Sequence, residues 1–176
     1  MGCDIHIYIE QKGSDGIWYN RDYFVPVPVT SKWRKYERVP IISYRSYALF
    51  AFLANVRNYD NIPCLDDPRG LPGNLSEDVW SEWEKWEPDA HSASYFTLLE
   101  LIEAQEDLKD KFYKNREEVS WPFAVDAFDK FVDELKKRAD ILGIISDFEW
   151  YSIHQEIREK AMEKATQLRI VFWFDN

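Results

Sequence analysis

A chain of 176 residues with 45% hydrophobic content is most simply one domain, long enough to bury about 70% of its unfolded surface without disulfide or metal staples. A formal net charge of −10 excludes nucleic-acid polymers as a general partner, and the two cysteines, Cys3 and Cys64, make no disulfide framework. No apolar run approaches the ~20 residues of a membrane span, and a start at Met1-Gly-Cys-Asp leaves no room for a signal peptide, so a soluble protein of a reducing cytoplasm is expected.

Charge is unevenly spread. Residues 1–75 hold nine Lys/Arg and eight Asp/Glu, a net of +1, whereas residues 76–176 hold 13 and 24, a net of −11. The acidity belongs to the second half, and the first half keeps room for a local anion site.

From Cys3 to Glu10 the chain alternates strictly, with Cys3, Ile5, Ile7 and Ile9 against Asp4, His6, Tyr8 and Glu10. Period two predicts a strand with one buried face, and a one-residue slip would bury Asp4 and His6 instead. These two then project together from the other face, as the floor of a site or as part of a wet sheet face. Lys12-Gly-Ser-Asp-Gly16 predicts a hairpin turn, with a return strand over 17–24. Pro26 and Pro28 end ladder pairing, so 25–30 should be extended and peripheral, and 31–44 a loop.

A short, almost wholly apolar helix follows from Arg45, with Leu49, Phe50, Phe52, Leu53 and Val56 as its stripe. Its polar residues stand at its ends, Arg45 and Tyr47 at the start, Asn55 and Arg57 at the finish. The Pro/Gly-rich stretch 57–74 is a long binding loop or lid. Ser76 caps a short helix with Glu77 and Asp78 in its first turn, lined on one side by Trp80, Trp83 and Trp86. After an interruption over 87–94, the capping box Thr97-Leu-Leu-Glu100 starts a helix running into the charged segment 105–118. Another begins at Ser120-Trp-Pro122 and stops at Gly143. A second capping box, Ser146-Asp-Phe-Glu149, opens a last helix to about Leu168, in which His154 packs beside Ile153, Ile157 and Ala161. The β-branched and aromatic ending, 169–176, predicts a strand that returns to the N-terminal hairpin, because a lone hairpin is marginal.

Chemistry concentrates in two like patterns, Asp4-Ile-His6 and Asp89-Ala-His91, which hold two of the three histidines. Brought together, they offer two nitrogens and up to four oxygens to zinc, manganese or iron, or a general base with its orienting carboxylate. Set against this, they are plain surface or capping residues. Ser92 and Ser94, just before a helix, suit an anion or merely shape the turn. Arg45, Arg57 and Arg69 are three guanidiniums that suit a phosphate if they converge, or solvated surface charges if they do not. Cys3 faces the isoleucine side and should be inert.

The chain resembles a family of small phage and prophage proteins that open with Met-Gly-Cys-Asp-Ile-His. The matching blocks are 1–6, 45–58 (Arg-Ser-Tyr-Ala-Leu-Phe-Ala-Phe-Leu-Ala-Asn-Val-Arg-Asn), 68–72 (Pro-Arg-Gly-Leu-Pro), 91–94 (His-Ser-Ala-Ser) and 171–176 (Val-Phe-Trp-Phe-Asp-Asn), about a quarter of the chain. Relatives read His-Ser-His-Ser at the fourth block, and Ala93 here stands in place of the second histidine. The resemblance implies a phage context and candidate positions, and carries no reaction.

These readings predict one α+β domain over 1–176, with a small, mainly antiparallel sheet from the N-terminal hairpin and the C-terminal strand, packed with four to five helices. The expected function is binding of a small anionic metabolite, a nucleotide-derived or cyclic-nucleotide host defence signal, lined by Asp4, His6, Arg45, Tyr47, Asn55, Arg57, Arg69, His91, Ser92 and Ser94. The alternative is a metal-dependent hydrolase or phosphodiesterase for such a ligand, with Asp4, His6 and His91 catalytic and Asp4, His6, Asp89 and His91 holding a divalent metal. A third reading is a pocketless interaction module. No cofactor is expected apart from that metal, and neither a nucleic-acid polymer nor a membrane is an expected partner. Homo-oligomer formation is left open, and the expected compartment is the cytoplasm, the host cell's if the chain is phage-encoded.

Overall fold

A computed structural model of the chain describes residues 2–27, 35–114 and 121–176, with backbone alone for 112–114. The expected extended path over 28–30, the loop over 31–34, the charged run over 115–118 and the helix start at Ser120 lie outside the described residues. In chain order the elements are β1 (Asp4–Lys12), β2 (Trp18–Asn20), β3 (Phe24–Pro26), β4 (Tyr36–Arg38), α1 (Tyr47–Ala54), α2 (Glu77–Glu84), β5 (His91–Thr97), α3 (Leu98–Lys114), α4 (Pro122–Ile141), α5 (Asp147–Trp150), α6 (Gln155–Thr166) and β6 (Leu168–Asp175).

The fold is α+β. β2-β1-β6-β5 form an antiparallel sheet and β3–β4 a separate two-stranded ribbon. The two ends of the chain pair as expected: β6 runs along β1 from Gln11↔Leu168 to Asp4↔Asp175. The described helices are six, because the last predicted helix is broken. The capping box at Ser146 and Glu149 is present, but α5 stops after one turn. Buried Ser152 accepts the His154 amide through its Oγ, which competes with the helical ladder, and α6 begins only at Gln155. His154 is therefore an exposed N-cap residue, not the packing histidine expected.

Strand alternation assigns the two sheet faces. Ile5, Ile7 and Ile9 share one face with their partners Phe174, Phe172 and Ile170. This face carries the main core, with Leu49, Phe50 and Leu53 of α1, Leu101 of α3, and Phe128 and Phe131 of α4. The other face, expected to be wet or the floor of a site, is covered by α2. Val79, Trp83 and Trp86 close over Tyr8, Val171 and Trp173 in a second cluster, while Trp80 turns outward and is exposed. With both faces buried, β6 is apolar without a break from Ile170 to Phe174, the pattern of a doubly covered strand.

Three other expectations change. The return strand 17–24 divides, because the Asn20 Oδ1 accepts the Asp22 amide and turns the chain away after β2. Part of the expected loop 31–44 is a strand, β4, paired with β3. The interruption over 87–94 contains the start of β5, whose register shifts between His91 and Ser94 with Ser92 at φ +51°, the mark of a bulge.

Side chains and loop backbone bond the open backbone groups of β1 and β5. Beyond β2, the Ile9 amide donates to Asp22 Oδ1 and the Ile7 carbonyl accepts from Arg38, a side-chain substitute for a neighbouring strand. On β5, the Gly70 amide donates to the Ala93 carbonyl and Arg69 Nη1 to the Tyr95 carbonyl, at 2.8 and 3.1 Å.

Candidate functional site

The predicted residues gather, in part, where β1 begins and β6 ends. α1 delivers them because Ser46 caps it, accepting the Leu49 amide, and its apolar body is buried against the sheet from Leu49 to Ala54. The polar ends of so buried a helix are left at the sheet margin. Arg45, just before the cap, makes a two-pronged ion pair with Asp4, Nε to Oδ1 at 2.5 Å and Nη2 to Oδ2 at 2.7 Å. These bonds hold the Asp4 carboxyl below its ordinary range. Gly2 makes room for the guanidinium, since a Cβ there would lie 2.2 Å from Nη1. Arg45 and Asp4, with Ile42, Ser43, Tyr44 and Phe50, line a pocket of about 320 Å³.

Asp175, which sequence reasoning did not select, joins the two residues it did. Its Oδ1 accepts the Asp4 amide at 3.1 Å, and its Oδ2 stands 3.4 Å from His6 Nε2. That second contact is not aligned as a hydrogen bond, and Nε2 is buried with no hydrogen-bond partner among the described residues, so we read it as electrostatic. His6 lies under Trp86, ring centroids 3.9 Å apart, and beside Trp173, with its side chain 16% exposed. Burial pushes its imidazole down from the ordinary value, while Asp175 opposes. His6 and Asp4 share a strand face as predicted, but each takes a different partner. Only the register of β1 on β6, which sets Asp4 against Asp175, reveals this.

At the other end of α1, Asn55 occupies the left-handed C-cap at φ +57° and its Oδ1 accepts from Asn58. Arg57 donates to the Asn176 side chain at 3.0 Å and lies 3.4 Å from the Tyr59 hydroxyl. It also faces Cys3, whose thiol lies in the core on the isoleucine side, as expected, and is pushed up by that burial. Tyr47 packs edge-on against Phe50 and Tyr59.

The remaining candidates are elsewhere or face away. His91 stacks on Phe174 at 6.0 Å, and its Nδ1 lies 3.0 Å from Ser92 Oγ. Phe174 and Trp173 are consecutive strand residues, so His91 and His6 sit on opposite faces of the sheet. Asp89 is an exposed turn residue. The two Asp-x-His patterns therefore do not meet as one ligand set, and no group of three His, Cys, Asp or Glu placed to hold a metal ion occurs among the described residues. Ser92 and Ser94 are not at an open helix terminus: Ser94 is buried in β5, its Oγ accepting the Arg69 amide.

Arg69 does not converge with Arg45 and Arg57. It pairs with Asp66 at 2.9 Å and Glu100 at 2.8 Å and rests over the Phe96 ring at 4.4 Å, fastening the Pro-rich loop to β5 and α3. Replacing it should therefore act on the fold. Arg69→Ala is expected to lose about 1 kcal/mol, after allowance for solvent screening of its partly exposed pairs, with faster proteolysis of the 57–74 loop. A melt and digestion pattern identical to the parent's would show the fastening to be idle.

Comparison with protein-family models, with curated proteins and with solved structures gives no match to this chain. Among the described residues, no helix is long and apolar enough to cross a membrane.

Proposed function

We propose that the chain binds a small anionic metabolite of the nucleotide class at the Arg45 end of the sheet. The observation that supports this is the Arg45–Asp4 pair in the wall of the 320 Å³ pocket. Asp4 engages Nε and Nη2 and so fixes the plane of the guanidinium, whose side chain is 53% exposed. Among the described residues Nη1 makes no hydrogen bond, which leaves a charged donor for an incoming phosphate oxygen. Ser43 adds a hydroxyl and Tyr44 an exposed ring, the polar and aromatic groups a nucleotide needs beside its phosphate. In the phage setting implied by the resemblance, such binding would withdraw a host defence signal from its receptor. Catalysis has less support, because His6 is shut under Trp86 and does not line this pocket.

A melting-temperature screen against mononucleotides and cyclic dinucleotides tests the proposal. A true ligand at about 100 times its Kd adds about 2.7 kcal/mol of stability. Arg45→Ala is expected to abolish that gain and to leave the ligand-free melt close to the parent's, since the ion pair is solvent-exposed. A panel without any shift, or a shift that survives Arg45→Ala, would sink the reading.

A further inference from the structure

We infer that the cleft between the β3–β4 ribbon and α2 is a second site, which takes an uncharged planar ring bearing a carbonyl oxygen, with the Tyr8 hydroxyl as its hydrogen-bond donor. The cleft measures about 730 Å³, within the span of small-molecule sites, and Tyr8 lines it. Tyr8 is only 3% exposed. Its ring stacks on Trp173 at 4.9 Å and carries the Arg38 guanidinium 4.0 Å from its centroid, so neighbours on β6 and β4 fix its direction. The hydroxyl makes no hydrogen bond among the described residues, and unlike Trp173 Nε1 it is not sealed from solvent. A polar atom at the tip of so buried a side chain is ordinarily bonded, and here its partner has to come from the cleft.

The surroundings of that hydroxyl define the partner. Burial pushes the phenol up to about 12, with Arg38 opposing and Glu82 and Asp22 adding to the rise, so near neutral pH it keeps a proton to donate. A guanidinium over the ring disfavours a second cation at the hydroxyl, which leaves an acceptor oxygen as the group that fits. That oxygen needs no charge. Arg38 Nε donates to Asp22 at 2.8 Å and Lys85 pairs with Glu82 at 2.5 Å, so both described cations of the lining already have carboxylates. The preference for a planar ring comes from the ribbon. Its register pairs Phe24 with Arg38 and Pro26 with Tyr36, which puts Phe24, Tyr36 and Arg38 on one face, and all three line the cleft. Phe24 is 51% and Tyr36 61% exposed, two aromatic faces open to stacking. A fixed, deep-set donor beside exposed aromatic rings is what orients a small planar ligand. The cleft shares no lining residue with the Arg45 pocket, so this inference stands apart from the nucleotide reading.

The test is a titration of the full chain with nicotinamide and with uracil, followed by heteronuclear NMR, with cyclohexanecarboxamide as a control that has the carbonyl without the planar ring. The expected result is saturable shifts on the ribbon, α2 and the Tyr8 stretch of β1 for nicotinamide or uracil, and binding at least roughly tenfold weaker for the control. Tyr8→Phe removes the hydroxyl and keeps the ring on Trp173, and affinity should fall roughly tenfold or more, with the ligand-free spectrum otherwise retained. Phe24→Ala, a change at an exposed side chain, should weaken binding by a similar factor, and Arg45→Ala should leave it unchanged. Absence of saturable shifts with both probes, parental affinity in Tyr8→Phe, or equal binding of cyclohexanecarboxamide would each overturn the inference. Loss of binding in Arg45→Ala would move the ring to the other pocket and overturn the second site, whereas failure of the nucleotide screen alone leaves these expectations in force.

Discussion

Arg169→Met is expected to cost about 3–5 kcal/mol, the loss found when one partner of a buried ion pair is removed and the other charge is stranded. Glu10 and Arg169 face each other across β1 and β6, with 0% and 4% of their side chains exposed, and their oxygen and nitrogen are 2.6 Å apart. Every remaining group is used. Glu10 accepts the Ser76 amide at the start of α2, Arg169 donates to the Asn74 side chain and carbonyl, and the guanidinium lies 3.9 Å over Trp18. The pair thereby ties the sheet to the loop and helix that cover its second face. For a chain of this size the loss lowers the melting temperature by on the order of 10 °C. Glu10→Leu/Arg169→Met should be less damaging than either single change, because no charge is left without its partner. A single variant that melts with the parent would show that the pair carries no such constraint.

Deleting residues 170–176 is expected to abolish cooperative unfolding altogether. β6 lies between β1 and β5 and is hydrogen-bonded to both, so its loss splits the sheet and uncovers both clusters. Phe172, Trp173 and Phe174 are each fully buried, and truncating one such ring alone costs about 3–5 kcal/mol. Circular dichroism and limited proteolysis of the shortened chain check this. A sharp melt near the parent's temperature would overturn the topology.

The alternation of Cys3 to Glu10, the apolar run at the end of the chain and the capping signals at Ser76, Thr97 and Ser146 are local facts. They determined the α+β class, the pairing of the two termini and three helix starts, because hydrophobic period and capping chemistry act within a few residues. They also placed Arg45 and Asn55 at the two ends of a buried helix. The sequence was silent on what covers the even-numbered face of β1. Asp4, His6, Tyr8 and Glu10 read as the floor of a site or a wet face, and only the packing of α2, some 70 residues away, buried Tyr8 and Glu10 and shut His6 in, while Asp4 stayed half-exposed at the margin. Their companions are Arg45 for Asp4, Asp175 for His6, Arg38 for Tyr8 and Arg169 for Glu10. The bulge at Ser92 likewise set His91 on the face opposite His6, which no spacing of Asp-x-His foretells. Arg69 was one guanidinium among three until its loop lay along β5. Period and caps depend on neighbours in the chain, whereas register, coverage and the choice of ion partner depend on neighbours in space, and those came only with the tertiary structure.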